Sequence, residues 1–334
     1  MIWTLLQFAL AASIIVVAGT FLTRFADAIA DLTGLGRLLI GSILLAGATS
    51  LPELSVDLSA VSIGEGNLAV GDLMGSSLFN LLILAVLDLS HTSRGRMLSR
   101  TSAAHALSGT LSISLTAFAA LFIILSGRIS WTVLGLGPGA WALLITYVLG
   151  VRLVFVDQRI SAMESEHQQE VPIPAGRLRM AQAVGGFLTS AVVIIVFAPM
   201  LARSASGIAD FTGLGGTFIG TTLVALCTSL PELVASLAAL RMGAFDLAVG
   251  NVFGSNSFNM VLLPILDLAQ PGSLLAVVSQ THAVTALAGI IITALAILSQ
   301  LYRNEKRRIS ILEPDAVLII LLVVGSLWLV YHLG

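Results

Sequence analysis

Two glutamates stand inside apolar runs that have the composition of membrane helices. Glu53 ends "TSLPE" within "GATSLPEL" (47–54), and Glu232 ends the same five residues within "CTSLPEL" (227–233). An ionised carboxylate at the centre of a membrane helix costs at least ~2.5 kcal/mol, so such residues are kept for function. Each glutamate follows a proline, which has no N–H and clashes with the carbonyl four residues back. Pro52 should free the carbonyls of Ala48 and Thr49, and Pro231 those of Cys227 and Thr228. Opened backbone of this kind is tolerated in a bilayer where it lines a cavity or holds an ion. Carboxylates, bare carbonyls and the hydroxyls of Thr49, Ser50, Thr228 and Ser229 together suit a dehydrated cation.

Two further segments add oxygen. Ser76 and Asn80 are four apart in "GSSLFN", and Ser255 and Asn259 repeat that spacing in "GSNSFN", so each pair shares a helix face. Gly71, Gly75, Gly250 and Gly254 let neighbouring helices approach closely. The set contains no thiolate group and no clustered imidazole; His91, His105, His167, His282 and His332 lie outside the repeated motifs. Hard oxygen ligands with carboxylates suit Ca²⁺ and Na⁺, not Zn²⁺ or Cu⁺. Cys227 reads as a small apolar filler. Asp57 and Asp72, one turn from Glu53 and Ser76, are accessory candidates, with solvation near an outer mouth the expected role. Asp88 and Asp267 end their helices, and Asp31 and Asp210 precede theirs, so capping or interfacial solvation is expected for all four. Glu65 is expected to be solvated in a short connection.

The elements that must carry these groups are membrane spans. The chain has 334 residues, 57% hydrophobic and 10% charged, with a mean hydropathy of +1.01. Soluble domains carry about 25% charged residues. No basic patch suggests nucleic acid, and the single cysteine excludes an internal disulfide framework. A span needs roughly 20 apolar residues. Ten are expected, near 2–23, 38–61, 67–87, 103–126, 131–155, 181–202, 217–240, 246–266, 280–300 and 312–333. With ten spans, one side of the membrane receives every Lys and Arg except Arg128 and Arg203. That basic side should be cytoplasmic, with both termini extracellular or periplasmic.

The chain repeats itself at a fixed offset of 179 positions, that from Pro52 to Pro231. The offset aligns "IADLTGLG" (29–36) with "IADFTGLG" (208–215), and "LAVGDLMGSSLFN" (68–80) with "LAVGNVFGSNSFN" (247–259). The expected architecture is an all-α membrane protein of ten helices in two five-helix repeats. The first repeat covers 1–156 (motif region 29–89) and the second 180–334 (208–268), joined by a cytoplasmic loop at 157–179. Five is odd, so the second copy enters the membrane inverted, and inverted repeats place a shared site at their interface near the midplane.

Both motifs, present twice and in register, resemble the cation/calcium exchanger superfamily, in particular its sodium/calcium exchanger branch. The resemblance covers essentially the whole chain. It implies alternating-access antiport of Ca²⁺ against Na⁺ in a cell membrane, with no cofactor and no obligate protein partner. It also implies Ca²⁺ ligation by Glu53 and Glu232 with the carbonyls of Thr49 and Thr228. Sodium sites would add Ala46, Ser50, Ser76, Ala225, Ser229 and Ser255, with Asn80 and Asn259 central. The first and sixth helices would slide across the core as a gate. One departure bears on coupling. Well-studied sodium/calcium members have an Asp where this chain has Asn259, and paired glutamates also serve the proton/calcium branch, so H⁺ coupling is the alternative. A prenyl-transfer-type enzyme would need more acids per motif and cations for phosphate. A channel would need weak multi-site binding along an open path.

Overall fold

A computed structural model describes residues 2–33, 47–90, 102–126, 128–129, 131–164, 179–241, 245–302 and 314–333, and all regular structure among them is helical. In chain order the long helices are α1 (Ile2–Thr33), α2 (Leu51–Ser62), α3 (Gly66–Ser90), α4 (Ser102–Ile124), α5 (Pro138–Glu164) and α6 (Met180–Thr212). They continue with α7 (Gly215–Thr228), α8 (Leu230–Arg241), α9 (Phe245–Ala269), the short α10 (Leu274–Val277), α11 (Thr281–Tyr302) and α12 (Pro314–Leu333). Among the described residues eight helices can span a membrane alone, and the pair α7–α8, bent by 43°, makes a ninth. The expected span 38–61 is described only from residue 47, so the tenth lies partly outside the described residues.

Two helices form the centre. In the most apolar stretch of α3, 83% of residues are buried within the protein, and 67% in α9, against 17% for α5 and 28% for α1, α6 and α12. The outer helices face outward with Leu6, Leu153, Leu188, Val196, Leu321 and Trp328, all exposed, as lipid-facing surfaces require. Inside, α3 crosses α7 at glycine contacts. A Cβ added at Gly71 would stand 2.8 Å from the Thr217 carbonyl oxygen, and one at Gly75 would stand 2.7 Å from Thr221 Cα. A π-turn at Gly220–Val224 widens α7 where it meets α3. Contacts pair off in a regular way: α1 with α6, α4 with α11, α2 with α3 and α8 with α9, α4 with α5 and α11 with α12, α3 with α12 and α9 with α5.

Several expectations are corrected. The span placed at 131–155 begins at Pro138 instead, because residues 131–137 form a tight turn in which Val133 and Leu136 exchange backbone hydrogen bonds of 2.9 and 3.0 Å. Leu134 and Gly135 both take positive φ there, 54° and 80°, which no helix permits. Helices α1 and α6 run about ten residues past their expected ends at 23 and 202. Asp210 therefore sits in the last turn of α6, where it is exposed, as the solvation alternative expects, and it caps no helix start; that helix stops at Gly213, whose φ of 71° is a left-handed cap. The side chain of Asp31 lies outside the described residues. Glu65 is half-buried and accepts a 2.8 Å hydrogen bond from Ser206 Oγ, so it is tied to α6 and not merely solvated.

Asp267 does act as a cap, for two backbone groups at once. Its carboxylate accepts from Gly137 N at 2.6 Å and Leu274 N at 2.5 Å, joining the starts of α5 and α10. Removing an acceptor that satisfies buried N–H groups exposes their full desolvation cost. Asp267→Ala is expected to lower stability by about 2–4 kcal/mol, two such groups being orphaned. A thermal melt of the purified protein checks this, and an unchanged melting temperature would show that the loops hold without it.

Candidate cation site

The two "TSLPE" motifs each break a helix at the serine. Ser50 takes φ −88°, ψ 8° and precedes α2; Ser229 takes φ −84°, ψ 0° and separates α7 from α8. In both, the proline is the second residue of the new helix, where its missing N–H is harmless to that helix. The cost falls on the carbonyl four residues back, in the preceding helix. The glutamate comes next in each first turn, so Glu53 and Glu232 sit at helix starts, where the N-terminal dipole favours negative charge.

Both glutamates are 1% exposed, and they lie close enough for their charges to interact. Ser76 lies beside Glu53, and Thr49 beside Glu232. Among the described residues, no carboxylate oxygen of either glutamate meets a hydrogen-bond donor in bonding geometry, and no Lys or Arg is near enough for its charge to reach them. Ser50 and Ser229, three residues before the glutamates, and Ser255 of α9 are equally buried, and their hydroxyls are without partners among the described residues. Buried polar atoms in folded proteins are nearly always bonded. A cluster of unbonded oxygens, two of them carboxylates, has the donor set of a cation site. Among the described residues no three His, Cys, Asp or Glu side chains group around one point, so an ion here would need the neutral oxygens as well.

The remaining expected residues distribute unevenly. Thr228 is fully buried and its hydroxyl is shared among Asp72 Oδ1 at 2.9 Å, Val224 O at 3.1 Å and Ser76 Oγ at 3.3 Å. The Ala225 carbonyl already accepts from Ser229 N at 3.0 Å and has Thr228 Oγ1 at 3.4 Å. Asn80 donates to Asn256 Oδ1 at 2.9 Å, whereas Asn259 has neither amide atom bonded among the described residues. Ala46 lies outside the described residues.

Asp57 and Asp72 overturn the expectation of solvation: each is 0% exposed. Packing explains this, because α3 presses Gly71 and Gly75 onto α7 and so seals the Asp72 face against Thr228. Asn256 was missed by motif reading. It donates to Ser77 O at 3.2 Å, and Ser77 is its own counterpart at the 179-residue offset, so this amide sits where the copies meet. The one available signal was that the two copies differ there. The first helix touches both motifs: a Cβ at Gly19 of α1 would stand 2.6 Å from Pro231 Cγ and 3.5 Å from Pro52 Cγ.

Known proteins share both sequence and fold. The family model described as sodium/calcium exchanger protein matches residues 3–163 and 182–332. The inner membrane protein YrbG of Escherichia coli (strain K12) is 30% identical over 249 residues, 72% of each chain. A solved structure of the sodium-calcium exchanger NCX_Mj superposes with a TM-score of 0.61 at 21% identity, covering 98% of both chains. The crystal structure of the H⁺/Ca²⁺ exchanger CAX gives 0.65 at 13% identity, over 98% of this chain and 88% of that one. Its apolar helices and these likenesses make this a multi-pass protein of the cell membrane, and the chain belongs to the sodium/calcium exchanger family of membrane antiporters.

Proposed function

We propose that this protein exchanges Ca²⁺ for Na⁺ by alternating access at a single central site, with Glu53 and Glu232 carrying the charge. The observation that carries this reading is the pair of neighbouring, fully buried glutamates whose four oxygens have no hydrogen-bond partner in bonding geometry among the described residues. Two negative charges match one Ca²⁺ or two Na⁺, so the same oxygens can serve either ion in turn, which is what exchange requires. Ser50, Ser76, Ser229 and Ser255, the carbonyls of Thr49, Thr228, Ala46 and Ala225, and the amides of Asn80 and Asn259 complete the coordination. The architecture proposed is ten spans in two inverted halves, 1–156 and 180–334, joined by the cytoplasmic segment 157–179, with both termini outside. The matched helix contacts and the "TSLPE" breaks at Ser50 and Ser229 support it. Helices α1 and α6 form the sliding gate, and Gly19, seated on both motif prolines, is the contact over which α1 moves.

Asn259 favours a second reading, H⁺ coupling, since a neutral amide there leaves two central acids that two protons balance equally well. The deciding experiment is ⁴⁵Ca²⁺ uptake into proteoliposomes under an imposed Na⁺ gradient, then under a pH gradient, each without the other. Uptake driven by Na⁺ alone is expected; uptake driven only by the pH gradient would transfer the assignment to proton exchange. An added acid should change the balance. Asn259→Asp is expected to alter the number of Na⁺ moved per Ca²⁺, read from reversal potentials, and identical coupling would remove position 259 from the site.

A further inference from the structure

We propose that Asp57 and Asp72 form a second cation site, beside the glutamate pair, that holds one Na⁺ ion. This rests on the exchanger reading for its choice of ion, but the geometry is independent of it. Asp57 projects from α2 and Asp72 from α3, both are 0% exposed, and their carboxylates are in direct contact. Asp72 Oδ1 accepts from Thr228 Oγ1 at 2.9 Å and Ser76 Oγ at 3.3 Å. Asp72 Oδ2 and both oxygens of Asp57 meet no donor among the described residues. No Lys or Arg among the described residues is near enough to balance them.

The second half of the chain shows what this position does without a cation. At the 179-residue offset Asp57 becomes Ser236 and Asp72 becomes Asn251, and Asn251 Nδ2 donates to Ser236 Oγ at 3.0 Å. The neutral pair closes on itself. Two ionised carboxylates cannot, since each is then an acceptor only, and burial in contact multiplies their repulsion; a single shared proton would close them as an acid–carboxylate pair and is the competing occupant. A cation between them resolves both defects. The occupant must be small and dehydrated. Ca²⁺ takes six to eight oxygens and Mg²⁺ keeps several waters. The three open carboxylate oxygens with the Ser76 and Thr228 hydroxyls make five, short of the Ca²⁺ set, and full burial leaves no place for the waters Mg²⁺ keeps. Na⁺ accepts fewer oxygens and fits the three that remain open together with the Ser76 and Thr228 hydroxyl oxygens. These two hydroxyls link the site to the glutamates, because Ser76 also lies beside Glu53.

The test uses the full chain purified in detergent. Equilibrium ²²Na⁺ binding in Ca²⁺-free buffer is compared between the wild type and the double variant Asp57→Ser/Asp72→Asn, which installs the pair already present in the second half. The variant is expected to bind about one Na⁺ fewer per chain, since one site loses both its charges. Equal counts overturn the proposal, including the case in which only the pH dependence of transport changes, which would make a proton the occupant. If the double variant aggregates, Asp57→Asn alone is used, with at least ~10-fold weaker Na⁺ affinity at that site expected and unchanged affinity contradicting it. Wild type that binds Na⁺ but moves no Ca²⁺ would remove the exchanger reading and leave this site standing. Wild type that exchanges Ca²⁺ alongside equal Na⁺ counts would remove this site alone.

Discussion

Glu53→Gln or Glu232→Gln is expected to reduce Ca²⁺ flux in proteoliposomes at least ~100-fold, equivalent to about 2.7 kcal/mol of lost ion binding. Glutamine keeps the shape and one oxygen but removes the charge. A dehydrated Ca²⁺ then faces one carboxylate instead of two, in a place where 1% exposure lets no water compensate. The variants should fold, because a neutral amide is cheaper to bury than an ionised carboxylate. In Ca²⁺-free detergent each should melt no lower than the wild type, and Ca²⁺ should no longer raise the melting temperature as a ligand of the native state does. Flux retained in both variants would discard the glutamates as ligands.

The second large effect concerns the crossing of α3 and α7. Gly75→Val is expected to destabilise the protein by about 3 kcal/mol or more, the upper part of the range for overpacking. A Cβ there would stand 2.7 Å from Thr221 Cα and 2.8 Å from Ala225 Cβ, and it would press against the Thr221 carbonyl oxygen. Two of those atoms are backbone and cannot swing away. The helices would have to separate, and separation would pull Ser76 and Asp72 from Thr228, whose hydroxyl now bridges them at 3.3 and 2.9 Å. Both the melting temperature and transport should therefore fall. Gly185→Ala in α6 is the control, since no described atom lies within 4 Å of its added Cβ. Helix propensity alone should make that change neutral or stabilising by about 0.5–1 kcal/mol. Equal melting temperatures for the two variants would show that the close approach at Gly75 carries no weight.

Much of this site was legible because membrane helices leave few places for charge. Glu53 and Glu232 stand out against runs of Leu, Ile and Ala, and their duplication within "TSLPE" marks both helix breaks, which the structure places at Ser50 and Ser229. Spans follow from length and hydropathy alone. The turn at 131–137 escaped because its residues are apolar enough for a span, and only the Gly–Pro pair before Trp141 hints at the positive φ of Leu134 and Gly135. The depth of Asp57 and Asp72 was not legible at all. Periodicity puts them on the same faces as Glu53 and Ser76, but whether those faces meet water depends on α7, which lies more than a hundred residues away in sequence. Asn256 shows the same limit, since its bonds to Asn80 and Ser77 cross between halves. Properties of one helix can be read along the chain; burial created by a partner helix cannot.

One dehydrated divalent ion is expected between Glu53 and Glu232. Anomalous diffraction from crystals grown with Sr²⁺, an oxygen-seeking stand-in for Ca²⁺, tests it most directly. A single strong peak is expected within coordination distance of both glutamates, with hydroxyl or carbonyl oxygens from both "TSLPE" segments around it. A peak elsewhere in the protein, with those two carboxylates bonded to each other or turned away, would contradict it.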